Sequence, residues 1–414
     1  MILHFKPFFI GKAIIIHLLL LIALSSVQVV MAQDSVYKKP TTDTTAQLDL
    51  IDVYRNITKK DSKPRSDTNS VHISGLPAAG YSLQTGFAVV LSAEAAFYID
   101  KHPAPDDKVS NVLTSVTYSQ YSQIIFPVQT SIWTKHNKYN FITDWRYLKY
   151  PSTTFGLGGN SNINNGSTID FNYAKLHQSV LKYIAKDFFG GIGFYYDYFW
   201  NVRQVNVPQG VVTDFQKYGL TNTVTASGIA VRFLYDSRIN QVNPTNGWYG
   251  SVVYRPNFTF MGSDANWQSL LLEARKYIHF PGRSKNVLAF WSYNWLTLHG
   301  KPPYLLLPST GWDDFYNTGR GYIQGRYRGR NMVYLESEYR FGITQNGLIG
   351  GVVFANAESF SKVLSSKQFD IVAPAGGAGI RIKLNKFSGA NLCIDYGFGL
   401  EGSKGISVNL GEVF

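Results

Sequence analysis

The sequence predicts an all-β protein, a transmembrane antiparallel β-barrel of about 16 strands with a long extracellular loop that folds inward before the twelfth strand. Three observations carry this prediction. Strand-sized runs of alternating apolar and polar residues continue from about residue 71 to the last residue. Only 16% of the 414 residues are charged, whereas 45% are hydrophobic. No apolar run after residue 32 reaches the roughly 20 residues that a membrane helix needs.

The first 32 residues predict a secretory signal peptide. Lys6 and Lys12 precede an apolar stretch that runs to Leu24, and the segment ends in a small residue, Ala32. Cleavage is expected after Ala32, and an uncleaved anchor is the alternative. The chain that remains is still basic, which fits contact with outer-membrane lipid and lipopolysaccharide, or solvated loops around a cationic lumen. Nucleic acid is a poor fit for an exported chain.

Residues 33–70 predict a mostly disordered periplasmic lead, because Thr, Asp, Lys and Ser dominate this segment. One apolar patch at residues 48–51 interrupts the polar composition, and it predicts either a short helix or docking on a partner. The lead is too short for an independent domain, since unstapled domains below about 40 residues rarely fold alone. Residues 71–414 are therefore assigned to the outer-membrane barrel domain.

Alternation is clearest in residues 332–341, which follow a loop rich in arginine. One face of this predicted strand carries Val333, Leu335, Ser337, Tyr339 and Phe341, and the other carries Tyr334, Glu336, Glu338 and Arg340. A soluble sheet would point the charged face at water. Here the preceding loop carries Arg320, Arg326, Arg328 and Arg330. We therefore expect the charged face to line a polar lumen, with the basic loop folded back towards it.

Loop lengths give the predicted barrel its orientation. Predicted strands begin near residues 71, 85, 112, 124, 139, 171, 188, 220, 247, 265, 286, 330, 346, 376, 390 and 405. An even strand number places both ends in the periplasm. Short connections are expected there, at 186–187, 281–284, 344–346 and 386–389. The long connections, at 151–170, 206–219, 300–329 and 361–375, are expected outside the cell.

Four features in this order resemble the BamA/TamA superfamily of outer-membrane assembly barrels, the bacterial surface antigen family. Arg320-Gly321-Tyr322 resembles the family's Arg-Gly-aromatic motif on the long loop, and Tyr339-Arg340-Phe341 resembles the strand after that loop. The segment with Asp236, Arg238, Pro244 and Gly247 resembles a periplasmic turn of the family. Residues 376–414 resemble its closing strands, and Phe414 fits the aromatic C-terminal signal that assembly machinery recognises.

The resemblance implies a function in the bacterial outer membrane. It implies a barrel that aids insertion or translocation of proteins, or of lipid, through a weak seam between the first and last strands. Its partners would be unfolded outer-membrane protein clients or periplasmic accessory proteins, and it would need no cofactor. The lead has no room for a POTRA domain, so we expect a single-domain type. The alternative is a plugged transport pore or an accessory structural subunit of an outer-membrane complex.

The motif Gly319-Arg320-Gly321-Tyr322 predicts a latch inside the lumen. An arginine there is costly unless carboxylates pair with it, and glycines let the loop backbone approach the wall. The position of the family's acidic partner holds Asn356, so the candidate lumen partners are Glu336, Glu338, Asn356, Glu358 and Asp395. The alternatives are a plug without a mechanistic role and a solvated basic loop.

Other residues predict little chemistry. Asp236 and Arg238 fit ordinary turn chemistry, with a partner site as the alternative. Cys393, the only cysteine, is expected to be a packing residue. The eight histidines show no metal-binding spacing, and neither a GxSxG nor a P-loop pattern occurs. We therefore expect a protein that is not an enzyme and that has no metal or cofactor.

Overall fold

A computed structural model describes residues 47–50, 52–53, 56, 71–82, 85–104, 106–207, 209–361, 371–386 and 389–414. The predicted signal peptide and most of the predicted lead lie outside these residues. No helix in the described part of the chain is both long enough and apolar enough to cross a membrane.

The described residues form one antiparallel sheet whose strands follow each other in chain order. The strands are β1 (His72–Ser82), β2 (Gly86–Phe97), β3 (Ser110–Ser119), β4 (Ile124–Trp133), β5 (Tyr139–Lys149), β6 (Ser152–Thr154), β7 (Ser167–Ala185), β8 (Phe188–Val205), β9 (Val224–Asp236), β10 (Gly247–Asn257), β11 (Trp267–His279), β12 (Val287–Gly300), β13 (Asn331–Gly342), β14 (Ile349–Ser361), β15 (Val372–Lys383), β16 (Asn391–Phe398) and β17 (Lys404–Leu410). One short helix, α1 (Asp214–Gly219), lies between β8 and β9.

The predicted fold class and strand number are confirmed. Strand β6 has three residues and pairs only with β7, so sixteen longer strands remain. Most of the predicted strands begin within about three residues of the observed ones, and the predicted twelfth strand is β13. We call the end of the barrel that carries the start of β1 and the end of β17 the periplasmic end.

Backbone ladders join every neighbouring pair of long strands from β1 to β17 in chain order. Strands β1 and β17 differ, because their Cα atoms approach within 8 Å but no ladder joins them among the described residues. We call this gap the seam. The sheet therefore curls round to bring its two edges together without closing.

Alternating burial along strands such as β13, β16 and β17 separates an apolar outer face from a polar lumen face. In β16 the side chains of Ile394 and Tyr396 are exposed outward, whereas Cys393 and Asp395 are buried inside. Strand β13 follows the predicted pattern, with Leu335 exposed and Glu336 buried. Paired strands satisfy their own backbone groups, as a membrane-spanning chain requires.

The connection between β12 and β13, residues 301–330, folds into the lumen as predicted, and we call it the lumen loop. Its first part packs Tyr304 and Leu307 against Phe171 and Phe199 of the wall. Its second part packs Tyr322 and Tyr327 in a separate cluster with wall aromatics. Because these side chains are buried, the core of the protein lies inside the barrel, between loop and wall.

Candidate functional site: the charged network that holds the lumen loop

The backbone of the motif turns sharply where it meets the wall. Gly319 and Gly321 have φ angles of 75° and 106°, a region that residues with a Cβ atom rarely adopt. A Cβ atom on Gly319 would lie 2.4 Å from Cγ2 of Thr310. The amide of Tyr322 donates to the carbonyl of Gly319 at 2.9 Å and closes the turn. Glycine is therefore required at both positions by conformation and by space.

The end of β16 and the residue after it present two glycines, Gly397 and Gly399, to this turn. A Cβ atom on Gly397 would lie 2.8 Å from the amide nitrogen of Gly321, and one on Gly399 would lie 2.5 Å from the ring of Tyr322. The hydroxyl of Tyr322 donates to the carbonyl of Pro374 at 2.7 Å and accepts from the amide of Leu400 at 3.0 Å. The loop backbone thus lies directly on the wall of the barrel.

The guanidinium group of Arg320 contacts three carboxylates. Its Nη1 donates to Oδ2 of Asp395 at 2.8 Å, and its Nη2 donates to Oε2 of Glu338 at 2.6 Å and also to Glu336. The side chains of Arg320 and both glutamates are at most 3% exposed. The ring centroid of Phe354 lies 3.8 Å from Cζ of Arg320, within the range of a cation–π interaction. The structure therefore brings together residues from the loop, β13, β14 and β16.

Two further arginines extend this cluster towards the periplasmic end. Nε of Arg340 donates to Glu338 at 2.5 Å, and Arg381 donates from Nη1 to Asp395 at 2.5 Å and from Nε to Glu412 at 2.8 Å. Arg340 and Glu412 also approach to 3.5 Å. We call the whole set the Arg320 network, and its members are Arg320, Glu336, Glu338, Arg340, Arg381, Asp395 and Glu412. Three guanidinium groups face four carboxylates, so formal charge nearly balances.

The other two predicted partners have different roles. Asn356 does not meet the guanidinium group of Arg320. Its Nδ2 donates instead to the main-chain oxygen of Arg320 at 2.9 Å. Glu358 accepts a hydrogen bond from Oγ1 of Thr310 at 2.9 Å, and so binds the lumen loop at a second point. An amide suits the Asn356 position because its contact is a neutral carbonyl.

Sequence reasoning placed Arg340 on the lumen face but missed Glu412 and the two glycines at the end of β16. Glu412 lies beyond the end of β17, where alternation no longer predicts direction. Gly397, inside β16, was the one available signal, since glycine inside a strand often marks a close backbone approach. Gly399 follows the end of that strand.

The turn between β9 and β10 crosses the periplasmic mouth of the barrel. Arg238 donates from Nε and Nη2 to the carboxylate of Asp236 at 2.9 and 3.0 Å. The carbonyl of Pro244 accepts from Nη1 of Arg340 at 3.1 Å, which links this turn to the Arg320 network. Gly247 has a φ of 102°, and a Cβ atom there would lie 2.6 Å from the carbonyl of Ser237. Ordinary turn chemistry accounts for the contacts within the turn, whereas the contact with Arg340 comes from the wall.

The ring of Phe414 lies inside the barrel. It stacks on Trp291 with ring centroids 5.2 Å apart, and its main-chain oxygen accepts from Nη2 of Arg340 at 2.8 Å. Trp291 belongs to the buried, inward face of β12. In the folded chain Phe414 is therefore a lumen residue, and its use as an assembly signal stays a prediction about the unfolded chain.

The lumen loop also contacts the opposite wall, through Asp314. Its carboxylate lies 3.1 Å from Nζ of Lys175, and its main-chain oxygen accepts from Nη2 of Arg146 at 2.5 Å. The side chain of Asp314 is 54% exposed to the lumen; the surrounding protein raises the pKa of its carboxyl, but the charges of Lys175 and Arg146 outweigh that effect, so the net pKa lies below its usual value. The loop is thus anchored on both sides of the lumen. No metal-binding group of three or more His, Cys, Asp or Glu side chains occurs among the described residues.

No family model matches this sequence, and no curated protein matches it significantly. Among solved structures, the chain is similar to BamA from Haemophilus ducreyi lacking POTRA domains 1–3, with a TM-score of 0.54 and 11% identity over 87% of this chain and 78% of that one. It is also similar to CdiB from Escherichia coli, with a TM-score of 0.50 and 13% identity over 84% of this chain. The chain spans 63% of that CdiB chain, which is less than two thirds.

At such low identities the similarity concerns the fold alone. The resemblance expected from the motifs is confirmed at that level. The fold of this chain is that of a BamA-type β-barrel.

Proposed function

We propose that this protein is an outer-membrane barrel that aids insertion or translocation of proteins, or of lipid. The single observation that carries the proposal is the seam. Strands β1 and β17 lie within 8 Å of each other, yet no ladder joins them among the described residues. Every other neighbouring pair of long strands is joined by a ladder, so the seam is the place where the wall opens at least cost.

The physical reason lies in the unpaired backbone groups of a sheet edge. An open edge is a template on which another strand can pair. In hydrocarbon each unsatisfied backbone group costs several kcal/mol, so an entering strand that pairs with the seam gains more there than it would in water. The Arg320 network joins β13, β15 and β16 on the β17 side, and so gives one edge of the seam a firm support.

Locking the seam is expected to remove the function while leaving the barrel folded. Cysteine pairs would join Ile406 or Val408 of β17, whose side chains face outward, to positions scanned along β1. The test depletes the native protein, supplies each variant, and measures the abundance of outer-membrane proteins. We expect several barrel proteins to fall when the disulfide is oxidised and to recover when it is reduced.

A matched control pair is available at Val180 and Ile192. These residues face each other across the β7–β8 ladder and are both exposed outward. A disulfide there joins strands that are already paired, so the outer-membrane protein profile should stay unchanged. If depletion of the native protein itself leaves that profile unchanged, insertion of proteins is not its function.

The partners and location proposed from the sequence fit this function. Outward-facing apolar side chains, among them Ile192, Phe194 and Tyr396, suit contact with outer-membrane lipid and lipopolysaccharide. Client proteins or periplasmic accessory proteins would approach the seam from the periplasmic end. The bacterial outer membrane is the proposed location, and export through a cleaved signal peptide remains a prediction.

A second candidate is a plugged transport pore, favoured by the lumen loop that contacts both walls. Replacing residues 304–328 by a short Gly-Ser linker should then create steady conductance in a planar bilayer, whereas the native barrel conducts little. Variants of Asp314 alone should conduct weakly, since the Arg320 network still holds the loop. Equal conductance before and after replacement would rule out a plugged pore.

A further inference from the structure

A short segment that precedes β1 docks on the opposite side of the seam. The amide of Leu48 donates to the carbonyl of Asn346 at 3.1 Å, and the amide of Lys386 donates to Oδ2 of Asp49 at 3.0 Å. Asn346 lies in the turn between β13 and β14, and Lys386 lies in the turn between β15 and β16. A few residues of the lead therefore join two neighbouring hairpins at the periplasmic end.

Hydrogen bonds of Asp49 and Asp52 fix the geometry of this contact. Asp49 is 2% exposed and accepts the amide of Asp52 at 2.8 Å, while Asp52 accepts the amide of Asp49 at 3.3 Å. This reciprocal pair is a capping box that starts a short helix. Nζ of Lys386 donates to Oδ2 of Asp52 at 2.8 Å. The same side chains that start the helix thus bind it to the barrel.

The two hairpins are those that hold Arg320. Along β15, Arg381 of the Arg320 network lies five residues before Lys386. Along β13, Arg340 of the network lies six residues before Asn346. The amide of Lys383 donates to the carbonyl of Leu348 at 2.8 Å, which ties the two hairpins together between the network and the docked segment.

We propose that residues 47–50 and 52–53 form a reversible strap on these two hairpins, and that docking of the strap and anchoring of the lumen loop stabilise each other. The coupling follows because both contacts require the same arrangement of β13 and β15. Coupling between two sites is reciprocal, so weakening either contact must weaken the other. A role in controlling the seam rests on the proposed function, whereas the coupling itself is a property of the purified barrel.

The strap is expected to detach readily, because the ion pair that joins it to the turn between β15 and β16 is partly exposed. The side chains of Lys386 and Asp52 are 15% and 19% exposed. An ion pair of this kind shifts an equilibrium by about two- to fivefold. Detachment can be followed by chymotrypsin cleavage after Tyr54, since the protease must bind Asp52 and Val53 of the strap with their backbone released.

The first test is a charge exchange on the purified full chain. Asp52→Lys and Lys386→Asp should each speed cleavage after Tyr54 by about two- to fivefold, and the double exchange should bring the rate back towards that of the native chain. Arg203→Asp, which breaks the exposed pair with Asp170 on the outer part of β7 and β8, serves as the matched control and should change nothing. Equal rates in the single and double exchanges would overturn the strap.

The second test measures the coupling. Arg320→Lys keeps the charge but loses the fork geometry, and it should also speed cleavage after Tyr54. Conversely, Asp52→Lys should lower the temperature at which the barrel loses its heat-modifiable gel mobility. A lower transition temperature for Arg320→Lys with native cleavage at Tyr54 would refute the coupling. Both readouts use purified protein, so they are independent of whether depletion alters the outer-membrane protein profile.

Discussion

Arg320→Ala is expected to lower the free energy of unfolding by about 3–5 kcal/mol, the usual cost of breaking a buried ion pair from one side. The variant leaves Glu336, Glu338 and Asp395 buried at the lumen wall without the guanidinium group that joins them. The lumen loop loses its firmest contact at the same time. The measurement is the temperature at which heat-modifiable gel mobility is lost, together with denaturant unfolding in lipid vesicles.

The geometry also predicts which second substitution rescues this variant. Asp395 still has Arg381, and Glu338 still has Arg340, but among the ion pairs of the described residues Glu336 has only Arg320. Glu336→Gln should therefore recover part of the lost stability in the Arg320→Ala background, whereas Asp395→Asn should recover none.

Two single substitutions complete this test. Arg320→Lys should be nearly as damaging as alanine, because an ammonium group does not reproduce a fork that reaches three carboxylates. Arg203→Ala removes an equal charge from an exposed pair and should change stability by less than about 1 kcal/mol. A native transition temperature for Arg320→Ala would contradict the latch.

Gly397→Ala is expected to push the lumen loop off the wall although it changes a residue of the strand. The added Cβ atom would lie 2.8 and 2.9 Å from the amide nitrogen and Cα atom of Gly321. Both are backbone atoms, so neither can rotate away. Overpacking of this kind costs about 1–3 kcal/mol, and more where backbone must move. We expect a lower heat-modification temperature and faster protease cleavage within the lumen loop.

Gly342→Ala is the matched control, because it adds the same atom near the end of β13, where no heavy atom lies within 4 Å of the added Cβ. That variant should behave like the native barrel. If the two glycine variants proved equally stable and their loops equally resistant to protease, the close contact between Gly321 and Gly397 would not hold the loop.

Much of the fold could be predicted because a membrane barrel imposes a simple rule on its strands. Of every two successive side chains along β13 or β16, one faces the apolar outside and the other faces the lumen. This alternation is visible in the sequence. The same rule placed Glu336, Glu338 and Arg340 on the lumen face. It could not predict which carboxylates meet Arg320, because alternation gives direction but not register between distant strands.

Other features could be predicted only in part. The apolar patch at residues 48–51 predicted a short helix or docking on a partner, but it could not predict where the segment docks. The docked strap depends on hydrogen bonds from Leu48 and to Asp49, whose partners, Asn346 and Lys386, lie 298 and 337 residues away in the chain. Glu412 was missed, since it lies beyond the last strand.

The sequence by itself determined an all-β barrel, the number of its strands, the faces of those strands and the loop that enters the lumen. These properties depend on neighbours in the chain and on the contrast between lipid and water. Only the tertiary structure decided that Arg320 meets three carboxylates at once, that Asn356 binds a carbonyl instead, and that β1 and β17 meet without pairing. These contacts depend on how far each strand is shifted against its neighbours, which is set when the whole sheet curls round and cannot be read from any single segment.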